Sequence, residues 1–278
     1  MGLLALDFMV RALIAGALTG VMAPAVGTYI VQRRLSLLGD GLGHVAIAGV
    51  GLALLTGRAP VPIAIAVTVV GAVAIELLRQ SGRASGDVGL AILFYGGLAS
   101  GVLMAGLAGQ GAGTLSQYLF GSLTSVSNSD LVAVAEMAVV VLITALGLSP
   151  QLFAVCADED YARAQGLPTR ALNLIIVIMA AVTVAISMRT VGLLLVSALM
   201  VVPVATSQNL VLGFRRGLAT AMGLGLILAL AGVVASYYLD TATGATIVVL
   251  AVIVFVGTLP VNSVLERHRR ANRAEADE

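Results

Sequence analysis

The sequence predicts an all-α polytopic membrane protein with about eight or nine transmembrane helices, and three observations carry that reading. Apolar runs of roughly 20 residues, the length that crosses a hydrocarbon core as a helix, recur from one end of the chain to the other. Of the 278 residues 59% are hydrophobic and only 10% charged, with a mean hydropathy of +1.06. Soluble domains do not have this composition. The arginines, finally, cluster in the connections that one side of a membrane would share.

Taken in order, the apolar runs give spans at approximately 10–32, 38–56, 61–79, 88–108, 130–149, 171–189, 191–212, 217–239 and 244–263. The chain opens Met1-Gly2-Leu3-Leu4-Ala5-Leu6-Asp7, without a basic region or a clear small-residue cleavage site, so the start reads as retained and not as a secretory signal. Pro24 and Pro203 fall inside spans and should kink them. Pro203 is a candidate pathway residue, because a proline frees carbonyls that can face a cavity. A stretch rich in Gly, Ser, Thr and Gln from Gly109 to Ser129 predicts a short re-entrant or surface helix around Tyr118-Leu119-Phe120. The connection near residue 190 is so short that spans six and seven form a tight hairpin or a broken helix. Residues 1–265 thus read as one transmembrane domain, and 266–278 as a polar, charged tail that frays.

With Arg33 and Arg34 on the cytoplasmic side, alternation of the spans places Arg79, Arg83, Arg163, Arg170, Arg215, Arg216, Arg267, Arg269, Arg270 and Arg273 on that side as well. Only Arg11, Arg58 and Arg189 fall elsewhere. The positive-inside rule then predicts an external N-terminus and a cytoplasmic C-terminus.

The chain has no lysine and a single cysteine, Cys156. Without lysine there is no nucleotide-binding P-loop, so any ATP hydrolysis belongs to another subunit. One cysteine excludes an intrachain disulfide and a cysteine metal cluster. The near-neutral charge, +1, and the absence of a basic face with interleaved aromatics give no sign of a nucleic-acid partner. No Ser/His pair or paired Asp motif suggests an intramembrane enzyme.

Polar residues inside apolar spans mark pathways or sites by default. Asp40 and His44 stand one helical turn apart in Leu37-Leu38-Gly39-Asp40-Gly41-Leu42-Gly43-His44. At i and i+4 they share a face, and oxygen with imidazole nitrogen suits zinc or manganese. Two plainer readings stay open: an interhelical hydrogen bond of the pair, or a cluster at the helix end, since Asp40 is only six residues past Arg34. Glu136 lies about two turns into span five and is a possible pathway residue or a group held at a helix contact. Glu76 should snorkel or pair with Arg79. His268, in Glu266-Arg267-His268-Arg269-Arg270, reads as solvated tail. Asp130 and Asp240 belong to the outer surface, where they would be placed to pair with a binding protein. The methionines are scattered and form no copper-type cluster.

Between spans five and six runs the most polar interior stretch, Ala157-Asp158-Glu159-Asp160-Tyr161-Ala162-Arg163-Ala164-Gln165-Gly166-Leu167-Pro168. Acidic residues at its start suit a helix N-terminus, and Gly166 followed by Pro168 gives a stop signal. A two-turn helix over about 157–168 is expected on the inner face.

These residues carry a resemblance. Arg34 through His44 resembles the signature of the metal-ion (zinc/manganese/iron) ABC importer permeases, the zinc-uptake type of membrane subunit. Leu119-Phe120-Gly121-Ser122-Leu123 resembles that family's extracellular-side element. Asp158, Glu159, Ala162 and Gly166 are similar to its ATPase-coupling helix, although Asp160 and Tyr161 depart from the usual E-A-A spelling. Val191-Gly192-Leu193-Leu194-Leu195-Val196-Ser197-Ala198-Leu199-Met200-Val201-Val202-Pro203 looks like its late signature. The four matches run in order over nearly the whole chain.

The resemblance implies a fold like the B12 and siderophore permeases and a homodimeric or pseudo-homodimeric core in a bacterial-type inner membrane. It also implies cytosolic ATPase subunits that bind ATP and an extracellular or periplasmic metal-binding protein. It places Asp40 and His44 on the central pathway near the dimer axis, where a two-fold would gather two carboxylates and two imidazoles around a transported Zn2+ or Mn2+ ion. The expected role is that of a transport subunit with no enzymatic chemistry and no permanently bound cofactor, with zinc favoured over manganese. Import of a metal chelate, siderophore or corrinoid is the nearest alternative, and a stand-alone ion-coupled transporter or channel is the alternative of another class.

Overall fold

The computed structural model describes residues 7–81, 86–110, 112–121 and 126–274. Arg83, Ser122, Leu123 and the chain start at 1–6 lie outside the described residues, as do the side chains of the tail, His268 among them. Every regular element described is a helix. In chain order they are α1 (Asp7–Gln32), α2 (Leu38–Thr56), α3 (Pro60–Gln80), α4 (Gly86–Leu107), α5 (Ala112–Phe120), α6 (Asn128–Gly147), α7 (Ser149–Ala157), α8 (Glu159–Ala164), α9 (Thr169–Val191), α10 (Leu193–Leu210), α11 (Phe214–Leu239) and α12 (Thr243–Ala274). Among the described residues nine helices are long and apolar enough to cross a membrane, and they coincide with the nine runs read from the sequence.

One end of the bundle carries the α1–α2 turn, the C-terminal end of α3, α7, α8 and the α10–α11 turn, with Arg33, Arg34, Arg79, Arg163, Arg170, Arg215 and Arg216; we call it the basic end. The short helix α5 forms where the polar stretch predicted it. It packs against α4, α9, α10 and α12. The link between α9 and α10 is Gly192 alone, at φ 88°, and only a residue without a β-carbon takes that backbone at little cost. A β-carbon there would also collide with the Phe120–Gly121 backbone, so this glycine seats the end of α5 against the break.

α7 is an element that hydropathy did not reveal. Span five was read to 149, but α6 stops at Gly147 and a new helix begins at Ser149. Pro150 sits in its first turn, where the missing N–H is no loss, and it prevents α6 from simply running on. α12 continues as helix through the polar stretch to Ala274.

α2 occupies the middle of the bundle, in contact with α3, α4, α9 and α10. Its glycines and those of α4 let the backbones touch. A β-carbon on Gly97 would come within 2.7 Å of the His44 backbone, and one on Gly51 within 2.5 Å of the Gly101 carbonyl oxygen. Van der Waals contact over such small residues is the main attraction between helices in lipid. α1 is joined to α11 in the same way through Gly20 and Gly225.

Candidate functional site

Asp40 lies in the first turn of α2. The turn before it is built tightly. α1 ends in a Schellman pattern, with Leu35 N–H donating to Ile30 O at 3.0 Å and Arg34 N–H to Val31 O at 3.0 Å. The residue at the left-handed position is Arg34, at φ 58°, where glycine is usual and any other L-residue costs about 1–2 kcal/mol. Leu38 N–H then donates to Leu35 O at 2.8 Å and Gly41 N–H to Leu37 O at 3.0 Å. The chain from Gln32 to Asp40 is therefore a hydrogen-bonded run and not a straight helix, so Asp40 belongs to α2 and not to the end of α1.

The half-buried Asp40 lines a pocket of about 250 Å³ with Leu37, Gly41, Leu90, Ala91, Phe94 and Tyr95. One turn on, His44 is only 8% exposed. Its ring meets Phe94 edge-on, with centroids 4.0 Å apart and planes at 64°. Its Nδ1 is buried and has no hydrogen-bond partner. The interhelical Asp–His hydrogen bond is thus not the arrangement adopted here. On its other side this stretch of α2 packs on α10: Leu193 fills the space beside Gly43, and the Met200 sulfur lies 3.1 Å from where a Gly39 β-carbon would be. The signature at the start of α10 therefore backs the Asp40/His44 segment. Among the described residues no three His, Cys, Asp or Glu side chains of one chain gather as a metal cage.

The other charged cluster at the basic end is closed. Glu76, 2% exposed near the end of α3, accepts from Arg79 Nε at 2.9 Å, Arg79 Nη2 at 2.8 Å, Gln80 Nε2 at 3.0 Å and Arg33 Nη2 at 3.4 Å. The pairing with Arg79 follows the sequence expectation. Arg33 is the partner that spacing did not reveal, since it lies 43 residues away. Burial pulls the Arg33 guanidinium below its ordinary pKa, and Glu76 opposes the shift. Nearby, Cys156 on α7 has its thiol pushed up to about 12 by burial, so it is a poor nucleophile at neutral pH.

The polar segment folds as expected but shorter, as six residues of helix. The Asp158 side chain caps α8 by accepting from Tyr161 N–H at 2.9 Å. Glu159 and Asp160 pair with Arg163 at 3.1 and 3.4 Å, and Ala162 is fully buried. Gly166, at φ 83°, closes a Schellman motif in which Leu167 N–H donates to Ala162 O at 3.1 Å. An open pocket of about 810 Å³ separates α8 from α3, lined by Arg79, Gln80, Glu159, Arg163 and residues 167–171.

The remaining candidates lie apart from Asp40 and His44. Glu136 is exposed on α6, on the face away from the buried Val134, Ala138, Val141 and Ala145. α6 packs chiefly on α1 and α9. Pro203 is buried within α10, and its neighbours Val204 and Ser207 border a cavity of about 340 Å³ with Thr28 and Gln32 of α1. Asp130 is not a free surface carboxylate. It completes a capping box with Ser127 and bonds Arg189 at 3.0 Å, its side chain 11% exposed. Asp240 is exposed at the end of α11. Phe94 and Tyr95 are the site residues that sequence reasoning missed. Their only signal was an aromatic pair directly before Gly96-Gly97.

Among the described residues, nine membrane-length helices, with a short helix at one end, a capped polar helix at the other and a carboxylate–imidazole pair in a central one, define a polytopic helical membrane protein. Residues 5–262 match the ABC 3 transport family, and the chain belongs to that family. It is 31% identical over 277 residues to the manganese transport system membrane protein MntC of Halalkalibacterium halodurans, covering 98% of this chain and 94% of that one. It is 27% identical to the high-affinity zinc uptake system membrane protein ZnuB of Haemophilus influenzae, covering 91% and 97%. In structure it resembles a chain of PsaBC from Streptococcus pneumoniae, solved in complex with Fab, with a TM-score of 0.80 at 26% identity and 92% of each chain covered.

Proposed function

We propose that this chain is the permease subunit of an ATP-driven importer of divalent metal ions, and that Asp40 and His44 are the groups the ion meets in the membrane. The observation that carries the reading is the pair itself: a half-buried carboxylate on a pocket and, on the same helix face, a buried imidazole with an unpartnered nitrogen. An unpaired polar nitrogen is disfavoured in a span unless something binds it. One chain offers two ligands. Two chains about a two-fold axis offer two carboxylates and two imidazoles, which is a tetrahedral zinc set, or a manganese set once water is added. The two carboxylates also balance the ion's charge. Binding there is weak enough for release, as at any conducting site.

In this reading residues 1–265 are the permease domain and 266–278 its tail. The basic end faces the cytoplasm, the N-terminus faces outward, and ATPase subunits engage Asp158, Glu159, Ala162 and Gly166. A metal-binding protein delivers the ion from outside. Closure of the ATPases moves α8 and re-orients the helices around Asp40 and His44. Glu136 has no place on this path within one chain. Zinc is the favoured cargo because of the imidazole. Manganese is the second reading, supported by the name of the 31% identical relative.

Metal uptake in cells carrying Asp40→Ala or His44→Ala, at matched membrane abundance, tests the proposal. Uptake of labelled zinc and manganese should collapse in both, and normal uptake in both would overturn it. Pull-down from membranes should recover an ATPase subunit dependent on Glu159 and Gly166. Transport by the purified chain alone would instead favour a stand-alone carrier.

A further inference from the structure

We infer that Glu76 is a positioning residue, which anchors the α1–α2 turn, and with it the first turn of α2, to the end of α3 that faces α8. The inference rests on the permease reading for its role in transport and on geometry alone for the anchoring. A single carboxylate holds two guanidiniums, one from the α1–α2 turn and one from α3. Glu76 Oε1 receives Arg33 Nη2 at 3.4 Å, Arg79 Nη2 at 2.8 Å and Gln80 Nε2 at 3.0 Å, while Oε2 receives Arg79 Nε at 2.9 Å. Arg33 is 6% exposed and its Nη1 is buried without a partner. Among the described residues Glu76 is the one ion-pair partner of that guanidinium.

From Arg33 the chain has little freedom. Arg34 sits in the left-handed conformation, and successive backbone hydrogen bonds through Leu35, Leu38 and Gly41 lead directly to Asp40. On the other side, Arg79 and Gln80 form one wall of the 810 Å³ pocket, and Glu159 and Arg163 of α8 form another. Glu76 is therefore the point at which the wall facing α8 and the turn leading to Asp40 are held by the same two oxygens. A pair that merely let Arg79 snorkel would need neither Arg33 nor its burial.

Thiol labelling and uptake, measured together, test this. Ser36→Cys places a reporter in the half-buried turn, in a chain with Cys156→Ser, and N-ethylmaleimide is applied to membrane vesicles holding the full transporter. Glu76→Gln should raise the labelling rate about fivefold or more, as local opening exposes the turn. In chains with the native Ser36, it should lower zinc uptake about tenfold, within the range for a change that touches neither ligand but shifts the helix that carries them. Unchanged labelling overturns the anchoring whatever happens to uptake. Raised labelling with normal uptake overturns the role in transport. Glu76→Asp keeps the charge with a shorter reach and serves if the glutamine variant fails to fold; it should shift both readouts the same way by less, and unchanged labelling there also overturns the anchoring. Asp40→Asn, run alongside, should abolish uptake without changing labelling. Normal uptake in that variant would sink the metal reading and leave the Glu76 result intact.

Discussion

Glu76 and the Asp40/His44 pair lie at the same end of the bundle and are treated in opposite ways. Glu76 has its oxygens filled by four donors from three residues. His44 has a buried nitrogen with none, and Asp40 opens on a pocket. A charge in a low-dielectric interior is stable only when it is paired and hydrogen-bonded. The satisfied carboxylate is thus part of the architecture, whereas the pair keeps unused bonding capacity, which the proposed function assigns to a cargo. Burial by itself does not tell these cases apart; the donor count does.

The sharpest way to break the contrast is to truncate both. Glu76→Ala leaves Arg33 buried and unpaired, and should cost about 3–5 kcal/mol, seen as poor membrane yield and a large drop in thermal unfolding temperature in detergent. Asp40→Asn and His44→Gln should leave that temperature nearly unchanged and lower metal uptake by about a hundredfold, as loss of a direct ligand exceeds loss of an outer-shell support. If the two classes of variant behaved alike, the distinction would fail. A smaller effect comes from the packing that presents His44. Gly97→Leu drives a side chain into the His44 backbone and should cost about 1–3 kcal/mol by overpacking. A β-carbon on Gly96 would meet nothing within 4 Å in the single chain, so Gly96→Leu should be near neutral in the same unfolding assay. Smallest is the turn between the two regions. Arg34→Gly relieves the left-handed conformation and should stabilise the isolated chain by about 1 kcal/mol, provided that the exposed guanidinium contributes nothing there.

Much of this was legible in the sequence because the membrane restricts what apolar runs can do. The nine spans, the short helix at Tyr118, the break at Gly192 and the capped helix at Asp158 all follow from hydropathy and local stop signals. So does the Glu76–Arg79 pair, which is a matter of i and i+3. What could not be read depends on contacts distant in sequence. Arg33 meets Glu76 across 43 positions, Arg189 claims Asp130 from α9, and Phe94 reaches His44 only once Gly97 and Gly101 let α4 lie against α2. α7 was hidden for another reason: its first turn is continuous in hydropathy with the span before it, and only Pro150 marks the restart.

In the proposed function Asp40 and His44, from two copies of the chain, hold one ion between them. Equilibrium zinc binding to the purified, detergent-solubilised permease, compared with the Asp40→Asn/His44→Gln variant at equal folded concentration, addresses it most directly. The expected result is one ion for every two chains in the native protein and loss of that binding in the variant. Binding of unchanged stoichiometry and affinity in the variant would contradict it.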